Sequence, residues 1–224
     1  MNQDTIHVYF IPGMAANSLI FEHIKLPKNQ FKIHYLEWLI PIENESIRAY
    51  SKRMIQYIKH KNVVLIGVSF GGIVAQEISK LLKIRRLIII SSVKTKYELP
   101  RRMRFAKATK IYKLLPTNLV NNIDVLAKYA FGKTLKNRAH LYERYLSVRD
   151  KNYFNWAIKQ VINWEQEEVL SNIIHIHGDK DPVFPYRYLT NCVTIKDGTH
   201  IMIINRYKWF NENLPKLILE EKLA

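Results

Sequence analysis

The 224-residue chain is poor in several residue types, and each shortage excludes something. It holds a single cysteine, Cys192, so no internal disulfide can staple it, and small oxidised frameworks drop out. Cys192 opens the strand-like run Cys192-Val193-Thr194-Ile195 and reads as a buried, inert thiol. No pairing of Cys with His has the spacing of a zinc site. Glycine (7) and proline (8) are scarce and no linker, repeat or low-complexity tract appears, which with 48% hydrophobic residues describes a packed globule. No apolar run approaches the ~18–20 residues of a membrane span, and the opening MNQDTIHVYFIPG has neither the basic nor the long apolar segment of a secretory leader. A cytoplasmic protein is expected. Acidic residues number 19 against 35 Lys and Arg, for a formal net charge of +16. Such an excess can serve a nucleic-acid or anionic-lipid surface. Yet the chain is rich in Lys, Ile and Asn together, the mark of a general codon bias, and shows no RNA-binding, zinc-finger or helix-turn-helix signature, so nucleic acid is not expected as a partner.

What is present centres on Val63 to Leu82, VVLIGVSFGGIVAQEISKLL. Val63 to Ile66 is a continuous, mostly β-branched run, as in a strand covered on both faces. From Gly72 onward Ile73, Val74, Ile78, Leu81 and Leu82 recur at helical spacing. The period therefore changes across Gly67-Val68-Ser69-Phe70-Gly71-Gly72, a G-x-S-x-G string between strand and helix. A serine on so sharp a turn takes a strained backbone conformation, and Gly67 and Gly71 leave room for it. Ser69 then projects its hydroxyl above the sheet edge, and the Phe70 N–H at the helix start points at an oxyanion forming there.

Around this element, Thr5 to Ile11 reads as a strand ending in Pro12-Gly13-Met14, a loop where the Met14 N–H, with Gly13 permitting close approach, supplies a second oxyanion donor. A helix-like segment follows over Asn17 to Ile24. Phe31 to Trp38 reads as a strand nearer the sheet's edge, Glu43 to Lys59 as a helix, and Arg86 to Ser92 as another buried strand. The alternation means βαβ units and a parallel sheet. His7, His23, His34 and His60 have no acid or nucleophile at a suggestive spacing and read as solvated or packed side chains. From Val93 to Glu168 the strand pattern is absent. Helices are expected over Arg101 to Leu115, Leu119 to Phe131, Leu135 to Val148 and Asn152 to Trp164, forming an all-helical lid inserted into the core. The first is heavily basic, and its charges read as a solvated face. Tyr153, Trp156 and Trp164 are candidates to line a substrate pocket. Strands resume at Ile173 to Gly178 and Cys192 to Lys196, and Tyr207 to Leu219 is the terminal helix.

Asp181, directed by the following Pro182, and His200, in Asp197-Gly198-Thr199-His200, then lie at strand ends as Ser69 does, the edge where sites form in open α/β sheets. GVSFGG, HGDKDPVFP and DGTHIMI resemble the nucleophile elbow, acid loop and histidine loop of the α/β-hydrolase superfamily, and IPGM resembles its oxyanion loop. The likeness covers the chain outside the lid. It implies a mostly parallel central sheet with helices on both faces, a core of residues 1–92 and 169–224, and a cap of residues 93–168. It also implies a serine hydrolase cleaving a carboxylic ester or thioester of a small acyl substrate through Ser69, His200 and Asp181, with no cofactor or metal. The alternative is a binding protein of the same fold without catalysis. Two departures stand out. Pro12 replaces the histidine many members carry before the glycine, and Asp179 competes with Asp181. The superfamily's other acid position is filled by Ser91, Ser92, Val93 and Lys94, which favours Asp181.

Overall fold

Runs of β-branched residues with no polar face can be satisfied only inside a sheet covered on both sides, and such runs form the middle of the sheet, where the strands Val63–Val68 and Arg86–Ile90 lie. The computed structural model describes residues 5–110 and 144–219. Its strands are β1 (Ile6–Ile11), β2 (Phe31–Tyr35), β3 (Val63–Val68), β4 (Arg86–Ile90), β5 (Ile173–Gly178) and β6 (Val193–Ile195). They form one sheet in the order β2-β1-β3-β4-β5-β6, and every adjacent pair is parallel. β2 is an edge strand, and all six residues of central β3 are buried.

Alternation along the strands divides the interior into two layers. Val8, Phe10, Val64, Ile66, Ile88 and Ile90 face one side, where the 3₁₀ turn Ser18–Phe21 and the C-terminal helices α5 (Met202–Asn205) and α6 (Tyr207–Leu219) cover them. Tyr9, Ile11, Leu65 and Ile89 face the other, under α1 (Ile47–Ile55), α2 (Phe70–Ser79) and α4 (Lys151–Ile162). In α2, Ile73, Val74 and Ile78 have no exposed surface, and burying such a side chain contributes about 1.5–3 kcal/mol. α1 and α4 begin at side-chain caps: Ser46 accepts the Ala49 N–H and Asp150 the Tyr153 N–H.

Among the described residues the expected strands and most of the expected helices are present, several shorter than their apolar patterns, and the helix-like segment Asn17 to Ile24 holds only the 3₁₀ turn Ser18–Phe21. The strand from Phe31 stops at Tyr35, and the helix within Glu43 to Lys59 is confined to Ile47–Ile55. α3 (Arg101–Thr109) ends where Lys110 turns left-handed, at φ 57°. Residues 93–110 and 144–168, between β4 and β5, contain no strand. The expected helix Leu119 to Phe131, most of Leu135 to Val148 and the tail of Arg101 to Leu115 lie outside the described residues. Among the described residues no helix is long and apolar enough to cross a membrane.

Candidate active site

The sheet register aligns Ile11, Gly67 and Ile89, so the loops after β1, β3 and β4 leave from one edge. At this edge Ser69 has φ 54° and ψ −120°, a conformation L side chains avoid. Surrounding structure over-determines it. The Ser69 N–H donates to the Ile90 carbonyl at 2.9 Å, and the Ser92 hydroxyl donates to the Ser69 carbonyl at 2.7 Å. A Cβ on Gly67 would sit 2.2 Å from the Gly71 carbonyl oxygen, and one on Gly71 would sit 2.3 Å from that of Pro12. Both positions exclude any side chain. Gly13 is different, since a Cβ there would meet Ser69 Cβ at 3.6 Å, an ordinary contact. Close approach therefore does not demand glycine at position 13.

His200 follows β6, and Asp181 lies in the turn after β5. The two loops are held together where the Lys180 N–H donates to the Gly198 carbonyl at 2.9 Å. Asp181 Oδ1 accepts the N–H groups of Val183 at 2.7 Å and Phe184 at 3.0 Å, closing the turn that Pro182 begins. Its other oxygen, Oδ2, lies 2.9 Å from His200 Nδ1, and His200 Nε2 lies 2.9 Å from Ser69 Oγ. The structure thus brings together Ser69, His200 and Asp181, and the acid that meets the imidazole is Asp181. Burial works against ionising Asp181, but His200, His177 and the Phe184 amide together hold its carboxyl below the usual value. An ionised carboxylate only accepts, so His200 Nδ1 carries the proton and Nε2 offers its lone pair to the serine hydroxyl.

Behind this series stand two side chains that sequence reasoning passed over. His177, with no exposed side-chain surface, places Nε2 2.9 Å from the Phe184 carbonyl and 3.3 Å from Asp181 Oδ2. Its Nδ1 lies 3.2 Å from His175 Nε2, and His175 Nδ1 lies 3.3 Å from Cys192 Sγ. Desolvation lowers both histidine pKa values, His175 the further. The period-2 placement of His175 and His177 in IIHIHG was the available signal, since it puts both on one face of β5 just before the acid turn. Burial also pushes the Cys192 thiol up to about 11, in keeping with an inert cysteine.

Ser69 and His200 open onto a cavity of about 320 Å³. Its described lining is almost wholly apolar and includes Ile20, Met103, Leu146, Ile158, Val161 and Ile162. Gly13, Met14 and Phe70 border it beside Ser69. Phe70 is the first residue of α2, so its N–H has no carbonyl a turn back to bond within the helix. Tyr153, Trp156 and Trp164 do not line this cavity, which corrects the expectation for all three. Tyr153 packs on Trp38, Trp156 donates from Nε1 to the Glu45 carbonyl at 2.7 Å, and Trp164 donates to Glu77 at 2.9 Å. α4 buries two faces: Tyr153 and Trp156 face the sheet-side core, Ile158 and Ile162 face the cavity, and Val161 touches both. Arg102 of α3 donates to the carbonyls of Pro182 and Val183 at 2.9 and 2.8 Å, fastening that helix to the acid turn.

An alcohol, an imidazole and a carboxylate in series, beside a helix N-terminus and an apolar chamber, can activate the alcohol as a nucleophile and receive negative charge on an attacked carbonyl oxygen. No family profile and no curated protein matches this chain. Solved structures do. A hydrolase from Oleispira antarctica is similar at 13% identity and a TM-score of 0.73, over 99% of this chain and 93% of that one. An esterase from Exiguobacterium antarcticum is similar at 17% and 0.66, over 98% and 93%, and a bromoperoxidase from Bacillus anthracis at 16% and 0.68, over 98% and 94%. The chain has the α/β-hydrolase fold these structures share.

Proposed function

We propose that this α/β-hydrolase-fold chain is a serine hydrolase that cleaves a carboxylic ester or thioester through an acyl-enzyme. The observation that carries the reading is the unbroken hydrogen-bonded series from Ser69 through His200 to Asp181, 2.9 Å at each step, with its alcohol facing the apolar cavity. In the proposed reaction Ser69 Oγ attacks the acyl carbon while its proton passes to His200 Nε2. Asp181 holds the imidazole tautomer and stabilises the imidazolium. The carbonyl oxygen, now negative, takes hydrogen bonds from the Phe70 and Met14 N–H groups, each such donor being worth on the order of 3 kcal/mol in related hydrolases. His200 returns the proton to the departing alkoxide or thiolate, and a water deprotonated by the same imidazole releases the acid and restores Ser69.

The cavity lining supports an uncharged acyl chain as the group held, because apart from Ser69, His200 and Arg102 at its edge the described lining is apolar. The segment 93–168 is read as a cap. α3 and α4 fall between β4 and β5 in the chain, and Met103, Ile158, Val161 and Ile162 from them wall the cavity. The neighbouring folds in solved structures, among them esterases and hydrolases, fit this reading. The test is labelling with a fluorophosphonate and hydrolysis of acyl esters and thioesters of graded length, wild type against Ser69→Ala. Labelling at Ser69 with turnover lost in the variant supports the enzyme. An inert Ser69 that still binds acyl ligands identifies a binding protein.

A further inference from the structure

At the opposite end of β1 from Ser69, register and loop geometry collect three imidazoles. Tyr9 pairs with His34 across β1 and β2, and His7, two residues earlier, projects on the same face as Tyr9. His7 also pairs with Val63 at the start of β3, which brings the preceding loop and His60 alongside. His7 Nδ1 and His34 Nε2 are 2.9 Å apart, and one ring nitrogen from each of His7, His34 and His60 lies within 4.8 Å of the others. Tyr9 holds His60 from behind. Its hydroxyl is 2.6 Å from His60 Nδ1 and accepts the Lys59 N–H at 3.1 Å.

We propose that His7, His34 and His60 form a binding site for one divalent transition-metal cation of the zinc or copper class, with solvent completing the coordination. Three neutral imidazoles suit such borderline ions, whereas magnesium or calcium would seek oxygen. Two nitrogens on a tetrahedral zinc stand about 3.3 Å apart, so the gaps, none wider than 4.8 Å, have to close by no more than about 1.5 Å. All three rings are partly exposed, so small side-chain adjustments can close it while Tyr9 keeps its hold on His60. The Tyr9 hydroxyl takes the place that outer partners of ligating histidines commonly fill. Lys32 opposes a cation, which sets the affinity below that of a closed cysteine site.

The site is remote from the cavity, so occupancy acts on stability and leaves ester turnover unchanged. The experiment uses the full chain without an affinity tag, stripped with a chelator and titrated calorimetrically with zinc and with copper. One ion per chain is expected, with a rise in melting temperature. His34→Gln and, on the loop, His60→Gln each weaken binding about tenfold or more while the circular dichroism spectrum is retained. Saturable binding that survives both substitutions locates the ion elsewhere and overturns the proposal. Absence of saturable binding by folded wild type overturns it equally.

Discussion

The Ser92 hydroxyl and the Ser69 carbonyl are joined at 2.7 Å, so the end of β4 holds the turn after β3 in a backbone conformation that it would otherwise leave. Ser69→Ala is expected to abolish ester turnover. Ser69→Gly does so as well, yet relieves the positive φ that alanine keeps, so the glycine variant should be the more stable of the two by about 1 kcal/mol. Urea midpoints of the two variants check this.

Asp181→Asn should lower kcat by about 10³–10⁴ with substrate affinity little changed, because an amide can present its N–H to the imidazole and select the wrong tautomer. Asp179→Asn should stay within a few-fold of wild type. Steady-state kinetics on one ester decide between the two acids, and the reverse ranking would remove Asp181 from its proposed role.

His177 is expected to act through Asp181 as a positioning residue. His177→Phe keeps a ring but removes the N–H that bonds the Phe184 carbonyl and lies 3.3 Å from Oδ2, which leaves more negative charge on the carboxylate facing His200. The acid limb of the pH–rate profile should move upward and kcat fall several-fold. His177→Gln, which restores a donor, should return both toward wild type. A loss of kcat with an unmoved limb would mean a packing role only.

The same buried histidines set the response of stability to acid. His175 and His177 both have folded pKa values below the usual 6.5, so below that value the unfolded chain binds protons the folded one refuses. Their contribution is complete above about pH 6.5 and drains away as pH falls. Asp181, whose pKa is also lowered, adds stability that is complete above the usual carboxyl value and is lost as pH falls toward its folded one. Urea midpoints should therefore decline from pH 7 to pH 5, with a shallower slope in His177→Gln.

Val161 faces the cavity from α4, so Val161→Phe should shorten the chamber. The expected result is a loss of about tenfold or more in kcat/KM for the longest acyl chain turned over, and little change for the shortest. A series of p-nitrophenyl esters reads the effect directly.

How much of this was legible in the sequence depends on whether the cause was local. The elbow over Val63 to Leu82 could be read because a strand, a turn and a helix announce themselves within twenty residues. Asp181 and His200 could be found because each closes a strand. Ser92 could not, since its partner is set by which strands lie side by side, and the alternating histidines of IIHIHG showed a shared face without showing what it meets. The aromatic residues of α4 were misplaced because amphipathic spacing shows that a face is buried and leaves open what buries it. His7, His34 and His60 gave no signal for the same reason: residues 7, 34 and 60 meet only through the β2-β1-β3 order.

The guanidinium of Arg102 gives the molecule a mechanical property that no single loop possesses. Because it grips two successive carbonyls of the turn that carries Asp181, α3 and that turn are tied through a side chain. A cavity wall, through Met103, and the carboxylate behind the imidazole thereby belong to one connected piece, so a displacement of the helix would load the turn.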